Sequence, residues 1–146
     1  MPDISPWNKA LELLSRREHS VYELKQKLKI KINDLQIDEL DEVIEKLKNQ
    51  NLLSDQRFAL AVIKQKSSQG YGPKFIELYL KNKFVSSNDY DIYEQNINWV
   101  EICVNQIAKK IRSSSVSLKE KEKISRFLSN RGFNYEIIKS AFNELT

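Results

Sequence analysis

An apolar set at helical spacing recurs three times along this 146-residue chain, at intervals of about fifty residues, each time on a basic helix. Leu24 and Leu28 in the first copy correspond to Ile76, Tyr79 and Leu80 in the second, and to Ile124, Phe127 and Leu128 in the third. Leu24, Ile76 and Ile124 stand 52 and then 48 residues apart. A period of this length marks stacked supersecondary units, each too small to bury its own hydrophobic face. The repeat therefore constrains the architecture, and it points to an extended surface as the working part.

Local signals divide each unit into three helices. In residues 1–54, Ser5-Pro6 reads as an N-cap followed by proline at the first helical position. Trp7, Ala10, Leu11 and Leu14 then fall at i, i+3, i+4 and i+7. Ser20-Val21-Tyr22-Glu23 reads as a capping box opening the second helix. Leu40, Val43, Ile44 and Leu47 define a third. In residues 55–96, Phe58, Ala61 and Val62 mark a first helix that ends at Gly70-Tyr71-Gly72-Pro73. Gly72 and Pro73 open the second as N-cap and N1, glycine tolerating the turn's backbone angles. A short third helix is expected from Asn88, with Ile92 and Tyr93, and its relation to Trp99 is left open. In residues 97–146, Val100, Cys103, Val104, Ile107 and Ile111 form a stripe, followed by the polar connector Ser113-Ser114-Ser115. Ser117-Leu118-Lys119-Glu120 reads as a second capping box, Arg131-Gly132 as a helix stop, and Asn134 as the cap of a last helix bearing Ile138, Ala141, Phe142 and Leu145. The expected fold is all-α: nine helices in three tandem three-helix repeats, helix-turn-helix-like without a wing, stacked into an elongated curved array.

Composition narrows the function classes. Three Gly and three Pro fit helices better than a sandwich or barrel. No apolar run approaches the ~20 residues that span a bilayer, and Met1-Pro2-Asp3-Ile4-Ser5 is unlike a secretory signal. Cys103 is the single cysteine and has no internal partner, so a reducing, cytoplasmic setting is expected. With one histidine, His19, an ordinary metal site cannot be assembled, and neither a P-loop nor a dinucleotide fingerprint is present. No catalytic residue, cofactor or metal is expected. Trp7, Trp99 and Cys103 lie on apolar stripes and read as core.

A three-helix unit invites comparison with DNA readers whose third helix enters the major groove and needs Arg, Lys, Asn or Gln there. Residues 33–45 instead hold Asp34, Asp38, Glu39, Asp41, Glu42 and Glu45 with no basic side chain. The third segment of the second unit holds Asp89, Asp91 and Glu94. Phosphates would repel these helices. Positive charge gathers on the second helices and the turns leading into them, and it rises toward the C-terminus. The three units carry 9 basic and 10 acidic, 6 and 5, and 9 and 5 side chains. The candidate contact residues are Arg16, Arg17, Lys25, Lys64, Lys66, Lys74, Lys81, Lys123, Arg126 and Arg131. Tyr71, set between two glycines, either packs its own repeat or joins them as an exposed contact. Guanidinium forks suit carboxylate and phosphate partners better than ammonium groups do.

Three strings carry a family resemblance: Ala10-Leu11…Leu14-Ser15-Arg16-Arg17-Glu18-His19-Ser20…Glu23-Leu24…Lys27-Leu28; Leu52-Leu53-Ser54-Asp55…Arg57-Phe58-Ala59 with Gly70-Tyr71-Gly72-Pro73…Ile76…Leu80; and Arg126-Phe127-Leu128…Arg131-Gly132-Phe133…Ile137-Ile138…Ala141-Phe142. In order and spacing they resemble RecX, the bacterial regulators of the RecA recombinase. Two departures stand out. The family often has a glycine after the second helix, where this chain reads Leu28-Lys29-Ile30-Lys31-Ile32. It is commonly arginine-rich before the Gly-Tyr-Gly turn, where this chain has Lys64-Gln65-Lys66-Ser67-Ser68-Gln69. The resemblance implies a non-enzymatic, monomeric protein lodged in the groove of the RecA filament on single-stranded DNA, limiting ATP hydrolysis, strand exchange and coprotease activity. Membrane association is not implied. The rival expectation is a stand-alone helix-turn-helix-like DNA-binding module.

Overall fold

In a computed structural model, residues 5–111 and 115–145 are described; Met1 to Ile4, Thr146 and the connector positions Arg112, Ser113 and Ser114 lie outside them. The described residues form eight α-helices and two 3-10 turns, and no strand occurs among them. The helices are α1 (Pro6–Arg16), α2 (Val21–Lys31), α3 (Ile37–Asn49), α4 (Asp55–Ser68), α5 (Pro73–Asn82), α6 (Trp99–Lys110), α7 (Leu118–Asn130) and α8 (Tyr135–Glu144).

Capping explains most of the starts. The hydroxyls of Ser5, Ser20 and Ser117 accept from the backbone N–H groups of Asn8, Glu23 and Glu120 at 3.0–3.1 Å. The Asn134 side chain does the same for Ile137 at 2.8 Å. The expected box at Ser20 is only half made, because the Glu23 carboxylate is taken by the Arg17 fork instead. The expected third α-helix of the middle repeat is also corrected: Ser87–Asp89 and Ile92–Glu94 are single 3-10 turns. Ser86 and Asp91 accept from the N–H groups of Asn88 and Tyr93, so short polar side chains compete with helix propagation. The chain breaks before Trp99, where Asn96 takes φ 56° and Asn98 caps α6.

Four helices end alike. In α3, α4, α5 and α7 the residue past the C-cap is left-handed: Asn51, Gly70, Phe84 and Gly132. The next N–H bonds back to the carbonyl five residues earlier, as Val85 does to Leu80 and Phe133 to Leu128. At α2, where no glycine follows, Ile32 stays extended and Asp34 takes the left-handed turn instead.

The chain forms two compact units, Met1–Ala61 with Leu80–Tyr90, and Val62–Tyr79 with Asp91–Thr146. The first has a core of Ala10, Leu13, Leu24, Leu28, Leu40, Ile44, Leu47 and Leu53. Each fully buried leucine contributes about 1.5–3 kcal/mol. The buried face of α1 runs through Leu13, which the expected spacing missed; Trp7, expected in the core, lies at its margin beneath the Lys46 ammonium. The second unit is built on Cys103, Ile107, Ile124, Leu128, Phe133, Ile138, Ala141 and Phe142. Trp99 is buried, whereas Leu145 is exposed at the end of α8 rather than packed.

Candidate nucleic-acid interface

In the first unit the candidate arginines serve different ends. Arg16 projects from the last turn of α1 and pairs with Glu12 at 2.7 Å, within its own helix. Arg17 leaves the helix and grips both oxygens of Glu23 at 2.8 and 2.9 Å. Lys83 approaches the same carboxylate at 3.6 Å. Burial alone would raise the Glu23 pKa, but the hydrogen bonds and charge of Arg17 outweigh it and hold the carboxyl below its ordinary range. Beneath this pair His19 is buried, with Nδ1 3.1 Å from the Arg17 carbonyl and Nε2 2.9 Å from Lys27 Nζ. An ammonium can only donate, so Nε2 accepts and Nδ1 carries the proton. Burial lowers the His19 pKa and keeps the ring neutral. Lys25 reaches Asp41 of α3 at 3.8 Å, and Lys81 stands exposed in the last turn of α5.

In the second unit Lys66, Tyr71 and Arg131 come together. The Tyr71 ring stacks on Phe75 at 4.1 Å on one side, while the Arg131 guanidinium lies 4.0 Å from its centroid. Arg131 also donates to the Gln69 carbonyl at 2.8 Å, and Lys66 sits 5.0 Å from the Tyr79 centroid. Tyr71 is thus half-buried and packs its own unit. Two backbone bonds run beside this stack: the Gly72 N–H donates to Arg131 O at 2.8 Å, and the Lys74 N–H to Gly132 O at 3.0 Å. Gly72 is glycine because a Cβ would lie 2.5 Å from the Gly132 carbonyl carbon; its φ is not left-handed.

Other candidates stay apart. Lys64 joins Lys109, Asn105 and Gln106 along an open cleft of about 450 Å³. The Lys74 side chain is exposed in the first turn of α5. Lys123 and Arg126 are exposed on α7. Arg126, Lys121 and Lys139 border a cleft of about 370 Å³ that is lined below by Ile138 and Phe142. Lys121 is one of the basic positions that the sequence marks in the third unit, though outside the candidate set, and Lys139 was missed because the last helix was read for its apolar face alone. Lys27 and Lys83 belong to the basic second-helix positions that the sequence marks but fell outside the candidate set, and the exposed rings of Tyr22 and Phe84 were missed. Only the order Lys83-Phe84 directly after a helix signalled the last of these.

Burial pushes the Cys103 thiol up to about 12, consistent with a packing role. Among the described residues no group of three or more His, Cys, Asp or Glu side chains could hold a metal, and no helix is long and apolar enough to cross a membrane. The exposed α3 carboxylates Asp38, Glu39, Asp41, Glu42 and Glu45 leave that helix unfit to enter a groove.

These features define a class: all-α proteins made of tandem three-helix domains, with their cations and aromatic rings on open helix faces. The sequence profile of the first three-helix domain of RecX matches residues 7–47, and that of the third matches residues 99–142. The chain is 38% identical to regulatory protein RecX of Vibrio cholerae serotype O1 over 90% of its length and 88% of that protein. It is 34% identical to regulatory protein RecX of Legionella pneumophila, over 95% of this chain and 93% of that one. Its fold superimposes on the crystal structure of RecX from Lactobacillus salivarius with a TM-score of 0.83 and 28% identity, covering 96% and 94% of the two chains. The chain belongs to the RecX family of regulatory proteins.

Proposed function

We propose that this protein is a non-enzymatic regulator that binds the groove of the RecA filament on single-stranded DNA and inhibits its ATPase, strand-exchange and coprotease activities. Membership of the RecX family carries this reading. The three domains are residues 1–54, 55–96 and 97–146, acting as a monomer in the cytoplasm. Contact is made by the outward cations Arg16, Lys25, Lys64, Lys74, Lys81, Lys123 and Arg126, while Arg17, Lys66, Tyr71 and Arg131 shape the surfaces that present them. Several modest contacts on one chain add up to firm binding. The divided surface supports the reading: cations suit phosphates, and the carboxylates of α3 suit a protein wall.

The test is RecA's single-strand-dependent ATPase measured with increasing amounts of this protein. The rate should fall; a rate unchanged at large excess over RecA would sink the proposal. The double variant Lys123→Glu/Arg126→Glu should weaken inhibition while keeping full helicity. Arg131 is unsuited to charge reversal, because its guanidinium holds the Tyr71 stack.

A further inference from the structure

Phe84 stands where physical chemistry argues against it. It follows the C-cap of α5 with φ 57°, a conformation that glycine takes freely and a bulky side chain does not. The turn is imposed from both sides. The N–H groups of Phe84 and Val85 donate to Lys81 and Leu80 at 3.0 Å, and Leu80 and Val85 are buried. The three equivalent positions in this chain are Asn51, Gly70 and Gly132, residues suited to the conformation. Burial does not compensate, since Phe84 is 68% exposed.

What the phenyl ring does is lie against Tyr22, with centroids 4.3 Å apart and planes inclined at 37°. Tyr22 is itself exposed, so the two rings form an aromatic plate open to solvent. Its surroundings are cationic. Lys83 precedes Phe84 and Lys81 lies in the same turn, while Arg17 and Lys83 converge on Glu23 next to Tyr22. Lys27 holds its proton less tightly than an ordinary lysine, first through burial and then through the positive charges of Arg17, Lys31 and Lys83. Glu23, the carboxylate on which Arg17 and Lys83 converge, is only 8% exposed and covered by these partners.

We infer that the Tyr22–Phe84 plate is a stacking platform for a base of single-stranded nucleic acid, with Lys81 and Lys83 meeting the flanking phosphates and Arg17 covering the Glu23 carboxylate beside them. Rings beside a cationic track hold single strands without reading sequence, because every base has a stacking face. A duplex hides those faces. A protein partner would also take an exposed aromatic, but the cations Lys81 and Lys83 next to the plate, with Glu23 covered, favour a polyanion. The inference rests on the proposed function only in placing a single strand beside this protein; the platform belongs to the free chain.

Fluorescence anisotropy with short oligo-dT, and with an abasic strand of equal length and charge, tests it on the full chain. Phe84→Gly relaxes the turn, so its thermal midpoint should be no lower than the parent's. It should nevertheless bind oligo-dT about tenfold more weakly, with affinity for the abasic strand unchanged. Phe84→Tyr should restore binding. The inference is overturned if the parent binds no oligo-dT, if Phe84→Gly costs nothing, or if it costs the same on both strands. Loss of ATPase inhibition with oligo-dT binding intact would make the plate a protein contact, which overturns it as well. If the parent leaves RecA's ATPase untouched, the filament reading fails while the anisotropy result stands by itself.

Discussion

His19 and Gly72 illustrate how single residues are fixed by neighbours distant from their own local signals. His19 was legible as a turn residue, but not as a buried ring that accepts from Lys27 and donates to the Arg17 carbonyl. Its folded pKa lies below its ordinary value near 6.5. The unfolded chain therefore binds the proton first, and stability falls as pH drops below about 6.5. Glu23 also has a lowered folded pKa, so a second loss follows at more acid pH, as its carboxylate is protonated away from Arg17. Thermal midpoints measured across this range should show both steps, and His19→Gln should remove only the first. A single acid transition shared by parent and variant would contradict this. Gly72→Ala should cost about 1–3 kcal/mol in chemical denaturation, because the added methyl meets the Gly132 backbone, which has little room to yield.

Helix starts were far more legible than helix ends. Ser5, Ser20, Ser117 and Asn134 were readable because a cap is a local event, with acceptor and donor three residues apart. The ends at Asn51 and Phe84 were not, because their left-handed turns are imposed by packing of the residue that follows. Asp55 shows a further limit. It opens α4, yet its Oδ1 accepts from the Val21 N–H at the start of α2, 2.8 Å away. The α4 start is capped by the Ser54 hydroxyl, which accepts from the Arg57 N–H, while the Asp55 carboxylate serves the N-terminus of α2, and no spacing rule relates positions 34 residues apart. Asp55→Ala should lower stability by about 1–2 kcal/mol, read as a shifted denaturation midpoint. An unchanged midpoint would mean that water replaces the carboxylate at no cost.

At the scale of the molecule, the all-α class and the family were readable because repeat periodicity and three well-spaced strings span most of the chain. The division of labour among cations was not, since charge counts do not tell an outward Arg126 from an Arg131 stacked on Tyr71. Binding to a single strand should weaken steeply with salt. Replacing Lys81 or Lys83 by Gln should reduce the slope of log affinity against log salt by somewhat less than one per residue. A slope that does not change would put those side chains outside the contact. The pair of backbone bonds between the Gly72 and Gly132 turns has a consequence for biosynthesis. Its two halves are joined across a gap like that between Gln69 and Arg131, 62 residues apart in sequence. A nascent chain cannot close this clasp until the ribosome has released Gly132. Any product terminated before Arg131 leaves Tyr71 without its guanidinium cover.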